Sequence, residues 1–331
     1  MTRFLLSTRP FSGLMVLGLA LGSIGFTFAI NAQDDLSPKP KTAPKGLTLP
    51  KLFSFTKEGE KKTTPFPGVE HVERTTNTPR QLTQHLVYLD TKNPNLRILS
   101  TRPEREGNHP PGTTKMETTR AFLERTKAHI AINANFFDNG AEAKKKGITR
   151  LLGLAMSEGN FVSPWTANNP LYRDAIHFSQ KGDIRFLERP SDIGDGYATL
   201  PATDLYTAVT GHARLLRSGV IAVKPSDPNK DLNPRTALGQ HRDGRLVLFV
   251  VDGRRPGNSL GMATHEVAEF LRERGLVDAI QLDGGGSTTL AFGDGKGKGR
   301  LINKPSDFTE RKVGNNLGFV LGDEESTELN K

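Results

Sequence analysis

Short apolar runs, each closed within a few residues by a turn signal, constrain this chain more than any other feature. Gly153–Val162 turns at Glu158–Gly159–Asn160, Ala175–Leu187 at Lys181–Gly182–Asp183, and Thr236–Val251 at Arg242–Asp243–Gly244. Runs of this length with glycine-bearing turns are the signature of β-hairpins, not helices. His85–Asp90 and Leu96–Thr101 read as two more strands joined at Asn93–Pro94–Asn95. His129–Asn135, Thr288–Phe292 and Leu317–Leu321 add further short apolar runs. Only Thr118–Lys127 and Thr264–Arg274 carry helical spacing; the second puts Val267, Phe270 and Leu271 on one side and stops at Gly275. One strand–helix–strand unit links Leu246–Val251 to Ala279–Leu282. The sum predicts an α+β fold: a mixed, largely antiparallel sheet with a few packed helices, in a single domain over residues 84–322.

The flanks read differently. Arg3 and Arg9 precede an uncharged apolar run from Phe11 to Ile30, with small residues at Ala29 and Ala32. A positive start, an apolar centre and small residues mark an export signal over residues 1–32. The run is also long enough to cross a bilayer, so cleavage and retention as a membrane anchor through residues 11–30 both stay open. The chain is therefore expected to be exported: periplasmic, extracellular or anchored. Residues 33–83, rich in Pro, Lys and Thr, read as a linker, and residues 323–331 as a polar tail.

Composition then removes whole classes of function. The chain has no cysteine, which excludes disulfides, thiolate metal sites and a cysteine nucleophile. Its net charge is +9, but the first 64 residues carry five of those charges. The folded part is only mildly basic, which argues against a nucleic-acid partner and fits a weak attraction to anionic substrates.

The strongest local feature is Asp283–Gly284–Gly285–Gly286–Ser287–Thr288–Thr289, an aspartate leaving a buried run followed by three glycines and three hydroxyls. Consecutive glycines let successive amides turn into one concavity that can hold an anion. It is not a P-loop, because the G-x-x-x-x-G-K-[ST] pattern is missing. Asp252–Gly253–Arg254–Arg255 ends another apolar run, where a carboxylate and two guanidiniums either pair or clamp a phosphate. Arg235 opens a strand. Asn133 and Asn135 close one, and a buried amide there must either tie neighbouring loops or bind sugar hydroxyls. His265–Glu266 is followed by Glu269, so the H-E-x-x-H zinc pattern is absent, and Ser287 sits in no G-x-S-x-G elbow. Glu266 lies in the first turn of its helix, where a carboxylate favours the dipole. No ligand spacing demands a metal or other cofactor, though a divalent cation on Asp252 or Asp283 is compatible with the sequence.

Taken in order, I-N-A-N-F-F-D (132–138), P-R-T-A-L-G (234–239), V-D-G-R (251–254), T-H-E-V-A (264–268), Q-L-D-G-G-G-S-T-T-L (281–290) and N-N-L-G-F-V (315–320) resemble the phosphodiester glycosidase family. The resemblance spans about residues 84–322, and its D-G-G-G-S-T-T segment is the most specific part. It implies hydrolysis of a sugar-1-phosphodiester, with a carbohydrate or glycosyl-phosphate substrate and a role in envelope or exopolysaccharide metabolism. It also implies that Arg235, Asp252, Arg254, Asp283, Ser287, Thr288 and Asn316 line the site, and places a glutamate at the position of Glu266. Asn133 and Asn135 match the family's N-G-G-F-F-type segment, but N-A-N-F-F stands here and narrows that loop. On this reading Asp283 is base or nucleophile, Asp252 the second carboxylate, and Arg235 and Arg254 hold phosphate. The competing class is a non-catalytic envelope protein that binds polysaccharide with the same pocket.

Overall fold

The computed structural model describes residues 58–165, 171–189, 205–225 and 231–322. The expected signal or anchor, residues 33–57 of the expected linker and the tail lie outside these residues. Among the described residues no helix is long and apolar enough to cross a membrane.

The core is built from antiparallel sheets, as the hairpin signals predict. The largest has eight strands, ordered Gly59–Phe66, Val69–Thr76, Leu82–Leu89, Leu246–Val251, Arg235–His241, Leu276–Gln281, Ala213–Arg217 and Val220–Ile221. Leu246–Val251 lies near its centre, and L-V-L-F-V-V is buried at every position. Alternation splits it: Leu246, Leu248 and Val250 join one apolar cluster, while Val247, Phe249 and Val251 join another. On the second side Val267, Ala268 and Leu271 of helix Thr264–Glu273 complete the packing. On the first side lie two five-stranded sheets. One runs Gly299–Leu301, Leu290–Gly293, Ile130–Asn133, Asn316–Leu321, Leu96–Ser100; the other contributes Ile176, Phe178 and Val209.

Helix Thr119–Thr126 covers the far face of the sheet that holds Ile130–Asn133, packing Phe122 and Leu123 on Ala128, Ala131 and Ala291. The small residues are required there: a Cβ on Gly318 would stand 2.8 Å from Phe122 Cε1. The Thr118 hydroxyl caps this helix by accepting from the Ala121 amide at 3.1 Å.

One expectation needs correction. The linker does not extend to residue 83, because Gly59–Phe66 and Val69–Thr76 form a hairpin on the edge of the large sheet. G-E-K-K-T-T-P-F is exposed along most of its length, as an edge strand that charged side chains protect from further pairing can be. Its polarity conceals its secondary structure. Leu82–Leu89 and Leu96–Ser100 do not pair with each other. The Asn93 turn forms, with the Leu96 amide donating to the Asn93 carbonyl at 2.9 Å, but it carries the chain from one sheet to the other.

Candidate active site

Strands Leu246–Val251 and Leu276–Gln281 each pair antiparallel with the strand between them, Arg235–His241, so they run parallel to one another. Arg235 stands opposite Val251, and Ala237 opposite Gln281. One end of the sheet therefore gathers the entry of Arg235 and the exits that lead to Asp252, Arg254 and Asp283. These positions, about 50 residues apart in sequence at the extremes, meet because of strand direction alone.

The Asp283 loop is held from below by a buried amide. Asn133 Nδ2 donates to the Asp283 carbonyl at 2.6 Å, while Asn133 Oδ1 accepts from the Thr236 hydroxyl at 2.8 Å and the Thr289 amide at 3.1 Å. Asn135 donates to the Leu152 and Leu154 carbonyls and accepts from the Thr210 amide and Asn315 Nδ2. Both are buried and committed to protein partners. Of the two roles open to these asparagines, the geometry selects loop-tying over contact with sugar. Asn316, paired across strands with Asn133, accepts from the Thr119 hydroxyl at 2.7 Å and is likewise buried. Thr288, within the loop, is buried.

Most amides of the glycine loop are already bonded, Gly286 excepted. The Gly284 amide donates to Asp283 Oδ1 at 2.8 Å, that of Gly285 to the Pro234 carbonyl at 2.9 Å, and those of Ser287 and Thr288 fold back on Gly284 and Gly285 in a 3-10 turn. The missing side chains serve another purpose. A Cβ on Gly285 would lie 3.3 Å from both Nη1 and Nη2 of Arg254, and one on Gly286 would collide with the Arg311 guanidinium and Asp307. The loop is flat so that guanidiniums can lie against it. Positive charge here comes chiefly from side chains.

Arg254 is exposed and adopts φ +56, a left-handed conformation uncommon for a side chain of its size. Its Nε donates to Asn233 Oδ1 at 2.8 Å, which aims the outer nitrogens at the loop. Arg235 is more deeply set, donating through Nε to the Met262 carbonyl at 3.0 Å and through Nη2 to the Asp231 carbonyl at 2.8 Å. Burial, then the like charge of Arg254, pull its pKa down to about 10. Arg311, held by Asp307, was not legible beforehand; it lies C-terminal to the loop in a stretch without apolar periodicity.

Asp283 itself is 9 % exposed. Burial pushes its pKa up to about 6, against the opposing hydrogen bonds of Ser287 and the Gly284 amide and the charge of Arg311. A carboxylate poised near neutrality at the rim of a cationic patch is the pattern of a working acid–base group. Asp252 has the same raised pKa for the same cause, about 6, but a different setting. Its oxygens accept from Asn303 Nδ2, the Lys304 amide and Asn258 Nδ2 at 3.0–3.2 Å. Asn303 also donates to the Thr288 carbonyl at 3.1 Å and accepts from the Leu290 amide. The second carboxylate of the sequence reading is thus an anchor behind the loop, with its lone pairs already engaged. Glu266 accepts from the Ala263 amide at 2.8 Å, a helix-capping contact, and pairs with Arg80.

Three rings complete the patch. Phe136, Tyr172 and His212 stand 5.5–6.0 Å apart, centroid to centroid, all half-buried. Among the described residues no three His, Asp or Glu side chains converge as metal ligands would.

Comparison with known proteins bears on the family and the fold. A family model described as phosphodiester glycosidase matches residues 126–320. The chain is 43% identical over 215 residues to the mouse N-acetylglucosamine-1-phosphodiester alpha-N-acetylglucosaminidase, a match covering 58% of this chain and 37% of the relative. It is 28% identical over 225 residues to the SPbeta prophage-derived uncharacterized protein YomE of Bacillus subtilis (strain 168), covering 65% and 31%. The chain thus spans about a third of the length of these curated relatives. Among solved structures, a hypothetical protein from Synechocystis shares the fold with a TM-score of 0.59 at 16% identity, over 80% of this chain and 64% of the other. So does the zebrafish N-acetylglucosamine-1-phosphodiester alpha-N-acetylglucosaminidase catalytic domain, described as auto-inhibited by pro-peptide, with 0.57 at 21% identity over 80% and 88%.

Proposed function

This chain belongs to the phosphodiester glycosidase family, and from that premise we propose that it is a glycosidase-type hydrolase that cleaves a sugar-1-phosphodiester between sugar and phosphate. The observation that carries the reading is Asp283: a carboxylate held near neutrality by burial, on a loop against which the guanidinium of Arg254 lies.

In the reaction the bond from C1 to the phosphate oxygen breaks and its electron pair leaves with the phosphate. Arg254 takes up that charge at the loop, with the fields of Arg311 and Arg235 behind it. C1 passes through an oxocarbenium-like state. Asp283, ionised, either accepts the proton of the attacking water or bonds C1 first and is then released by water. The departing phosphate monoester is already a good leaving group, so a guanidinium clamp replaces much of the work of a general acid. That accounts for a site in which Asp252 is tied down behind the loop. The reading is tested by incubating the purified protein with UDP-N-acetylglucosamine and synthetic sugar-1-phosphodiesters and measuring free reducing sugar. Release from none of them sinks it and favours the polysaccharide-binding alternative.

Export belongs to the same proposal and rests on Arg3, Arg9 and the uncharged run from Phe11 to Ile30. It would put the enzyme in contact with envelope glycans or exopolysaccharide. A fusion of residues 1–40 to a reporter that is active only outside the cytoplasm is expected to give signal. A reporter retained wholly inside the cell overturns the assignment.

A further inference from the structure

The rings of Phe136, Tyr172 and His212 have no part in the phosphate chemistry above, yet the backbone delivers two of them beside Asp283. The Asp283 amide donates to the Ala134 carbonyl at 3.0 Å, and Phe136 follows two residues later. The His212 amide donates to the carbonyl of Gln281, two residues before Asp283, at 2.8 Å. Tyr172 closes the group, 5.5 Å from Phe136 and 6.0 Å from His212. Its hydroxyl pKa is raised by burial and then by the charge of Asp283, and that of His212 is lowered by burial and then by Arg235. The cluster therefore lies in the fields of both Asp283 and Arg235.

We propose that Phe136, Tyr172 and His212 form the subsite that receives the pyranose ring of the substrate, with Asp283 facing its C1 and Arg254 holding the phosphate; this rests on the phosphodiester reading of the site. A pyranose presents one face of C–H bonds, which packs on aromatic carbon, and a rim of hydroxyls that stays polar. Three half-buried rings at mutual edge and tilt angles offer such a surface, and nothing charged is needed to hold a neutral sugar. The same rings suit the transition state, because positive charge developing at C1 is attracted to an aromatic face. Sugar and phosphate would then be recognised by different groups, the three rings and the guanidinium of Arg254.

The test separates the two. Tyr172→Ala is expected to raise KM for a hydrolysed sugar-1-phosphodiester by about tenfold, which is the fold-change for a lost ring contact of about 1.4 kcal/mol. Competitive inhibition by inorganic phosphate should be unchanged. Tyr172→Phe, which keeps the ring, should return KM to within about threefold of the parent. An unchanged KM in Tyr172→Ala, or weakened phosphate inhibition in parallel, overturns the assignment. Ligand-observed NMR with the methyl α-glycosides of N-acetylglucosamine, glucose, galactose and mannose requires no turnover. Binding of at least one to the parent, lost in Tyr172→Ala at an unchanged thermal midpoint, supports the subsite even in a protein that hydrolyses nothing. Binding of none of the four, or equal binding to Tyr172→Ala, refutes it.

Discussion

Asp283→Asn is expected to lower kcat/KM on sugar-1-phosphodiesters by about 10²- to 10⁴-fold, the range for removing a positioned acid–base group, while leaving the fold intact. Its surroundings tolerate an amide. The Gly284 amide can still donate to the remaining oxygen, and the Ser287 hydroxyl can turn to accept from the new NH2. In the parent, kcat/KM should rise with pH through about 6 as Asp283 ionises. The stability effect has the opposite sign. The folded-state pKa of Asp283 lies above the ordinary 3.8, so between those values the native state binds more protons than the unfolded chain, and stability falls as pH rises through the window. Asp283→Asn should remove part of that fall and hold or raise the thermal midpoint at pH 7. Asp252→Asn provides the contrast. Asn303 Nδ2, the Lys304 amide and Asn258 Nδ2 are all donors, so one end of an amide at position 252 would face donors with another donor. That mismatch should cost about 1–3 kcal/mol of stability, with turnover falling in proportion to folded protein. If Asp283→Asn instead unfolds, or keeps parental turnover when folded, Asp283 is not the reactive group.

Arg254→Lys should lose about ten- to a hundredfold in kcat/KM on phosphodiesters, the equivalent of a charge-assisted contact of about 1.5–3 kcal/mol, although the charge is conserved. The guanidinium is aimed by its Nε bond to Asn233 and lies with both outer nitrogens on Gly285. A lysine has no Nε to be aimed and no planar fork for two phosphate oxygens. An aryl glycoside of the same sugar has no phosphate to clamp and should be nearly unaffected. Equal losses on both substrates would mean that Arg254 holds the loop or the sugar, and the clamp would have to be reassigned. Arg235→Lys should cost stability as well, since Nε and Nη2 of Arg235 bind backbone carbonyls.

Much of this was legible beforehand, and the failures have physical reasons. The hairpins at Gly159, Gly182 and Gly244, helix Thr264–Glu273 and the α+β class follow from turn residues and periodicity, which are local signals. The strand Gly59–Phe66 was hidden because an edge strand needs no apolar face. The Asn93 turn was read correctly, but local sequence does not say which sheet each of its strands joins. The loop at Asp283 was found from its glycines, yet the reason for them was missed: they make room for guanidiniums that arrive from residues 254 and 311. Asp252 drew notice as an acid at a strand exit, and only its partners Asn258, Asn303 and Lys304 reveal an anchor. The rings of Tyr172 and His212 carry no motif at all and are joined to Asp283 by topology.

The central claim is that water attacks the sugar and not the phosphorus. Hydrolysis of a sugar-1-phosphodiester in ¹⁸O-labelled water, followed by mass spectrometry of both products, tests it directly. The account predicts the label in the C1 hydroxyl of the released sugar and unlabelled phosphate monoester. Label in the phosphate would mean P–O cleavage, with Asp283 and Arg254 serving a phosphodiesterase instead.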